Sequence, residues 1–558
     1  MSLRLAPLRY ALVLVASAAL AACQRPAEPV AAAPAAPAAS PPALVVPAPL
    51  GTAAAKGIAW QPASTDAEVD AAFAQARAAQ KPVLLYWGAE WCPPCNQLKA
   101  TLFNRQDFIE RTRAFVPVYV DGDQPGAQKL GARFKVRGYP TMVLLSPAGQ
   151  EMTRLPGEVD AQQVTQMLTL GLAMQRPVKA VLADARAGRS LGANEWQLLA
   201  FYSWDTDEQA QVLPPKELPA TLRALAAACP PEQADAGTRL FLKAWAAAEA
   251  PRPDAQARER FLAVLRSAEA SRVQMDVLAN NAQALAKAFA PAGDKARGPL
   301  LEAFDASLAG LANDMTLSRA DRASASIARV QLARLDAPKG PPKGTPKSGA
   351  PVSVPPALMS DIREQVARLD RETTDGYERQ AVIPTLAYLL REAGAPAESD
   401  ALLKANLARS HSPYYLMSSL ASNAKKRGDT AEALRWSEEA YRRSVGPATR
   451  LQWGASHVAL LVELAPQDEQ RIEAAALQVL REAAGQPNAF YERSARSLQR
   501  VGDTLARWQK APGHADAMKR LQAELEGLCA AVPEADAQRD TCLGLLSPKP
   551  VSSQKPSA

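Results

Sequence analysis

Cys92 and Cys95, in the run Trp91-Cys92-Pro93-Pro94-Cys95, are the residues whose type and spacing could do chemistry directly. Two thiols separated by two residues lie one helical turn apart, so a mixed disulfide formed on one can be attacked by the other. Lys81 to Trp87 reads as a buried strand and a helical segment follows Cys95, which predicts that Cys92 sits at a helix N-terminus. Unpaired amide groups and the helix dipole favour a thiolate there, so Cys92 is the expected nucleophile and Cys95 the less exposed resolving thiol. Pro93 and Pro94 suit the first helical turn, whose N–H groups have no intrahelical partner. Two other chemistries could use the same pair, a structural disulfide or a zinc site. Tetrahedral zinc needs two further ligands, and the histidines, His411, His457 and His514, all lie far away in sequence. No metal and no cofactor is expected.

The elements that must position these thiols surround them. A helix is expected over Asp66 to Ala79, a second strand over Phe115 to Val120, and a turn, a proline and a third strand over Phe134 to Leu145. The cysteine motif, followed at this distance by Arg137-Gly138-Tyr139-Pro140-Thr141, closely resembles thioredoxin-like proteins. Trp60, Lys81-Pro82 and Pro156-Gly157 are similar to the subgroup that includes the periplasmic C-terminal domains of Dsb-type membrane reductases. The resemblance covers residues 58–175 and implies an α/β thioredoxin-like fold with thiol–disulfide oxidoreductase activity, leaning to reduction. It implies that Pro140 is a cis-proline whose neighbour's backbone pairs with an extended substrate segment, and that Trp91, Pro93, Pro94 and Tyr139 shape access to Cys92. Periplasmic proteins carrying disulfides or oxidised thiols, and a membrane electron donor of Dsb type, are the implied partners. One position departs from the family, which usually buries an aspartate six residues before the first cysteine, where this chain has Tyr86. A tyrosine, with an ordinary pKa of about 10, is a poor base at neutral pH. Glu90 could substitute, or be a solvated surface acid.

The amino terminus addresses the compartment. Arg4 and Arg9 precede a short apolar core, Ala11 to Leu20, too short to cross about 30 Å of hydrocarbon. Leu20-Ala21-Ala22-Cys23 resembles a bacterial lipobox, which implies a signal peptide over 1–22 and a lipid-bearing Cys23; the alternative is an ordinary cleaved signal. Acyl chains contribute about 0.8 kcal/mol per buried methylene, so two or more anchor a protein to a membrane stably. Gln24 resembles lipoproteins passed on to the outer membrane. Removing residues 1–22 takes away Arg4 and Arg9 and brings the formal charge from +7 to +5. The Ala- and Pro-rich stretch 23–57 reads as a tether that, at about 3 Å per residue, reaches roughly 100 Å.

Residues 176–335 are Ala-, Leu- and Arg-rich with apolar residues at helical spacing, as in Leu218 to Ala228 and Ala255 to Ala268. A Pro/Gly/Lys linker is expected over 336–357, a second helical region over 358–547 and a disordered tail over 548–558. Leu386-Ala387, Gly394 and Ala397-Glu398 recur 34 residues later as Leu420-Ala421, Gly428 and Ala431-Glu432, with Ala433 and Ala440 at small packing positions, which resembles tetratricopeptide repeats. Ser399 and Asn406 depart from that pattern in the first unit, and Leu451 to Leu464 and Ile472 to Ala483 are expected as degenerate units. Such helices either offer a concave docking surface or form a packed scaffold without a ligand. Cys529 and Cys542 flank a turn and are expected to pair, closing a loop of about 14 residues, a constraint of roughly 3 kcal/mol. Cys229 is left as a buried helix thiol or an exchange target. With 64 basic against 57 acidic residues the surface is mixed, and nucleic-acid binding is not expected. Proline at 46 against 29 glycines is accommodated in the tether and linker, where no helix or central strand excludes it.

Overall fold

The computed structural model describes residues 57–155, 161–173, 176–202, 204, 212–247, 253–337, 354–510 and 513–546. The signal peptide, Cys23, the tether up to residue 56, Pro156-Gly157, most of the expected linker and the tail lie outside the described residues.

A five-stranded sheet of order β1-β3-β2-β4-β5 organises the first part. Its strands are β1 (Gln61–Pro62), β2 (Val83–Gly88), β3 (Val116–Asp121), β4 (Thr141–Leu145) and β5 (Glu151–Leu155). Helices α1 (Asp66–Ala79), α2 (Pro93–Thr101), α3 (Gln106–Thr112) and α4 (Ala127–Phe134) lie between them, and α5 (Ala161–Ala173) follows. α1 starts at a capping box in which Thr65 and Glu68 satisfy each other's amides. β2 is buried along its whole length, parallel to β3 and antiparallel to β4. Its side chains alternate between two cores, as a strand's period of two requires. Val83, Leu85 and Trp87 pack with Val69 and Phe73 of α1, whereas Leu84 and Tyr86 face Leu98 and Leu102 on and beyond α2.

The expected strands in this part appear with small shifts, and within Phe134 to Leu145 the strand begins at Thr141, after the turn and Pro140. β1 is too short for a periodic signal, and β5 carries a buried Arg154 that bonds Glu151 and the carbonyl of Phe134, a pattern that does not read as an apolar strand.

The second core does not stop at the sheet. It runs from Leu84 and Met142 into α6 (Val178–Arg186), α7 (Ala193–Phe201), α8 (Leu218–Ala228) and α9 (Ala234–Ala246) through Val181, Trp196, Leu225 and Leu240. Further helices are α10 (Ala255–Arg266), α11 (Ala268–Val273), α12 (Met275–Asn280), α13 (Ala282–Phe289), α14 (Arg297–Asn313) and α15 (Arg319–Ala333), which share a core around Phe261, Phe289 and Phe304. Cys229 caps the C-terminal end of α8 and is half-buried rather than buried within a helix.

After residue 354 come α16 (Pro356–Glu372), α17 (Gly376–Ala393), α18 (Pro396–Asn406), α19 (Pro413–Arg427) and α20 (Thr430–Arg443). They are followed by α21 (Pro447–Leu464), α22 (Glu469–Ala484), α23 (Glu492–Trp508), α24 (Ala515–Ala530) and α25 (Gln538–Leu543). Gly394 and Gly428, at equivalent places in the 34-residue spacing, end α17 and α19 in the left-handed conformation at φ 99° and 81°. The two polar departures from the repeat are buried and bonded. Ser399 donates to the Ala387 carbonyl at 2.7 Å, and Asn406 accepts from Arg379 at 2.5 Å. No described helix is long and apolar enough to cross a membrane.

Candidate redox site

β2 delivers the chain to Gly88, and after the short loop Ala89–Trp91 the residue at the N-cap of α2 is Cys92. Its sulfur accepts from the amide of Cys95 at 3.2 Å, and Pro93 and Pro94 fill the first two helical positions, where their missing N–H groups cost nothing. Cys92 and Cys95 are joined as a disulfide with Cα atoms 5.2 Å apart. Asn96 pins the loop by donating to the carbonyls of Glu90 at 2.7 Å and Cys92 at 2.8 Å. Thr141, opposite Trp87 in the sheet, follows a cis Tyr139–Pro140 bond, so the pairing of β2 with β4 carries Tyr139 to the cysteine loop. Tyr139 and Trp91 pack on the cluster of Ala89, Cys92 and Cys95.

Tyr86 is 1% exposed among Trp60, Phe103 and Tyr119, and its hydroxyl has no hydrogen-bond partner among the described residues. Burial pushes its phenol far above the usual tyrosine range, which removes it as a base at neutral pH. Glu90 is exposed. The carboxyl that sequence reasoning missed is Asp121, paired with Gly88 at the end of β3 and so level with the cysteine loop. Burial holds it above the usual carboxylate range; the Asp123 charge adds to this, and the Asp123 amide, Gln124 and Lys99 oppose it. The signal available for it was Asp121-Gly122-Asp123 directly after a buried strand.

Both sulfurs are covered, Cys92 being 2% exposed and Cys95 fully buried. Ala89, Trp91 and Tyr139 pack on them, and helices after residue 376 pack in turn on this loop and on α2. α17 packs along α2, and Gln380 donates to the carbonyl of Trp91 at 3.3 Å. Tyr415 of α19 stacks on Trp91 with ring centroids 6.0 Å apart. Asp123 is 9% exposed and accepts from Trp91 Nε1 at 3.1 Å, from Thr449 of α21 at 2.6 Å and from Arg493 of α23 at 3.2 Å. The Arg493 guanidinium lies over the rings of Trp91, at 4.7 Å, and Tyr139, at 5.5 Å. Tyr491 makes no side-chain cap for α23; Gln128 of α4 supplies it instead, its Oε1 accepting from the amides of Arg493 at 2.9 Å and Ser494 at 3.3 Å. Arg496 donates to the carbonyl of Arg137 at 2.7 Å, beside the cis-proline turn. A cavity of about 350 Å³ remains between Pro93, Pro94 and Gln97 on one side and Pro384, Tyr388 and Tyr415 on the other.

The structure therefore brings Trp91, Cys92, Pro93, Pro94, Cys95, Tyr139 and Pro140 to one place. Cys529 and Cys542 are apart from it, disulfide-bonded between α24 and α25 with Cα atoms 5.6 Å apart. Cys23 lies outside the described residues. Asp123, Gln128, Thr449 and Arg493 could not be found from the sequence, because their partners are 326 to 370 positions away.

Residues 69–171 match the thioredoxin-like domain family, and this part of the chain is a thioredoxin-like domain. Over 118 residues the chain is 35% identical to thiol:disulfide interchange protein DsbD 1 of Pseudomonas aeruginosa, covering 20% of this chain and 19% of that protein. It is 32% identical over 120 residues to the Yersinia pestis thiol:disulfide interchange protein DsbD, covering 21% and 20%. The chain thus spans about a fifth of the length of these relatives. A thioredoxin from Thermus thermophilus, at 31% identity, aligns with 20% of this chain and 85% of its own at a TM-score of 0.18. An oxidoreductase named DsbH, at 23% identity, aligns with 21% and 87% at a TM-score of 0.19.

Proposed function

We propose that the protein is a lipid-anchored periplasmic thiol–disulfide oxidoreductase working in the reducing direction, with Cys92 as nucleophile and Cys95 as resolving thiol. The observation that carries this reading is the Cys92–Cys95 pair at the N-terminus of α2, beside the cis Tyr139–Pro140 bond, in a domain homologous to Dsb thiol:disulfide proteins. In the reduced enzyme the Cys92 thiolate attacks one sulfur of a client disulfide. A Cys92–client mixed disulfide forms, and the other client sulfur leaves as a thiolate that takes up a proton. Cys95, deprotonated, then attacks the Cys92 sulfur, releasing the second client thiol and closing the Cys92–Cys95 disulfide. Two electrons pass to the client, and a membrane dithiol donor of Dsb type returns them. The resemblance of Leu20-Ala21-Ala22-Cys23 to a lipobox and the Ala/Pro stretch after it support a lipid anchor on the periplasmic side of a membrane, and Gln24 supports the outer one. The helical hairpins with Gly394 and Gly428 at their turns supply a tetratricopeptide-like docking region for a client or assembly.

In Cys95→Ser the resolving step is lost, and mixed disulfides through Cys92 accumulate in periplasmic extract; Cys92→Ser traps none. If Cys95→Ser captures no client and the reduced wild type fails to reduce insulin, the enzymatic reading is wrong. The reduction potential of the pair sets the direction, since values near about −270 mV suit a reductase and values near about −120 mV an oxidant. A second reading, a redox-silent envelope scaffold, is favoured by the burial of both sulfurs. Under it, a Cys92→Ala, Cys95→Ala double variant fully replaces the wild type in a deletion strain, whereas a chain lacking residues 358–547 does not.

A further inference from the structure

An extended segment that presents a disulfide to Cys92 has to pass over Trp91 and Tyr139 and along the backbone before Pro140. That strip is occupied by the chain's own helices. Tyr415 covers one face of Trp91, and Arg493 lies over Trp91 and Tyr139. Gln380 takes the Trp91 carbonyl, and Arg496 takes the carbonyl of Arg137, next to the turn. These groups are of the kind a client would offer there: an aromatic ring, a guanidinium and amide donors.

Two features hold the arrangement closed. Asp123 lies against the first turn of α21, where a helix N-terminus favours a carboxylate, and its bonds to Thr449, Arg493 and Trp91 tie two helices to the active-site loop. Buried and charge-assisted, these bonds are costly to break from one side only. Gln128 is the second tie, since α23 relies on the thioredoxin-like domain to cap its N-terminal amides, which are buried and have no intrahelical partner. Beside these ties a solvent-open cleft of about 350 Å³ lies between Pro93 and Pro94 and the walls formed by α15, α17 and α19, so the seam, though packed along α2 and α17, is not filled throughout.

The geometry points to the arc from α17 to α23 as an internal competitor for the client site: it is seated on the redox face, closes over Cys92, and must be displaced before a disulfide is exchanged. The inference rests on the oxidoreductase reading for what the site does, and adds how that site is regulated.

The test uses the oxidised full-length chain, with dithiothreitol as probe and the Cys92–Cys95 thiols counted by maleimide quench and mass spectrometry. Opening ahead of reaction makes the wild-type rate level off as dithiothreitol is raised. In Arg493→Gln and in Thr449→Ala the rate rises roughly tenfold or more, consistent with the loss of a buried hydrogen bond, and stays proportional to reductant over a wider range. Arg520→Gln, which breaks an exposed pair with Glu473 far from the site, leaves the rate unchanged. Thr449→Ala, which leaves the Asp123–Arg493 pair in place, carries the comparison if Arg493→Gln does not fold by circular dichroism. Equal, strictly proportional rates in the wild type and folded variants overturn the cover. Fast reaction in the variants, together with no insulin reduction by any of the chains, supports the cover and overturns the oxidoreductase reading instead.

Discussion

Asp121 and Asp123 stand two residues apart at the end of β3 and play different parts. Asp123 is spent on Trp91, Thr449 and Arg493, whereas Asp121 keeps a carboxyl raised above its ordinary range by burial. A carboxyl whose folded pKa is raised favours its protonated form in the folded state. It therefore weakens the fold as pH rises from the unfolded value, about 3.9, through the raised one. Asp121→Asn is expected to raise the melting temperature at pH 7 and to change it much less at pH 4, as differential scanning fluorimetry at the two pH values would read. If Asp121 also takes the proton from Cys95, the same variant slows insulin reduction despite the gain in stability. Tyr86→Phe removes a buried hydroxyl that bonds nothing among the described residues, so stability should hold or rise by up to about 1 kcal/mol, with turnover unchanged. A fall in turnover would restore Tyr86 as a participant. At this scale the cysteine pair was legible in the sequence because its chemistry is local, three positions and one helical turn. The Asp123 cluster was not, because each partner is brought in by tertiary packing.

Single elements carry constraints that their own sequence partly displays. The glycines ending α17 and α19 were readable as turns from the repeat spacing. Gly446, before α21, was not, because its role depends on what approaches it. It sits at φ 95°, and a Cβ there would lie 2.9 Å from Asp123 Cβ. Gly446→Ala is expected to cost roughly 1–3 kcal/mol through backbone strain and to press Asp123 away from Thr449, so urea unfolding should shift to lower denaturant while Cys92 becomes more reactive. His457, on the same helix, is buried against Ser437 and Tyr441, and burial lowers its pKa to about 4, with the Glu438 charge opposing this and Arg471 adding to it. A histidine whose folded pKa is lowered contributes fully above its unfolded value of about 6.5. That contribution is lost as pH falls towards 4, up to roughly 3 kcal/mol. His457→Gln should flatten the decline in stability between pH 6.5 and 4; an unchanged acid slope would assign it to other groups.

Across the whole molecule, both disulfides are buried but serve separate regions, Cys92–Cys95 under the arc and Cys529–Cys542 joining the last two helices. Cys542→Ser is expected to cost about 3 kcal/mol of stability by releasing the loop, with the potential of the first pair unmoved. A shift in that potential would mean that the far end of the helices reaches the redox site. The fold class was legible because strand and helix periods differ along the chain. The closing of the helices over the sheet was not, because amphipathic periodicity shows that a face is buried without showing what it is buried against.

The apolar layer that passes without interruption from Leu84 and Met142 into α6, α7, α8 and α9 has a practical consequence for handling the protein. The stretch that aligns with relatives is not by itself the unit that excludes water. Trimmed after residue 175 it would present Val181, Trp196 and Leu240's former neighbours to solvent, and the fragment should self-associate. The stretch that the family match picks out forms here one wall of a core it shares with the helices that follow it.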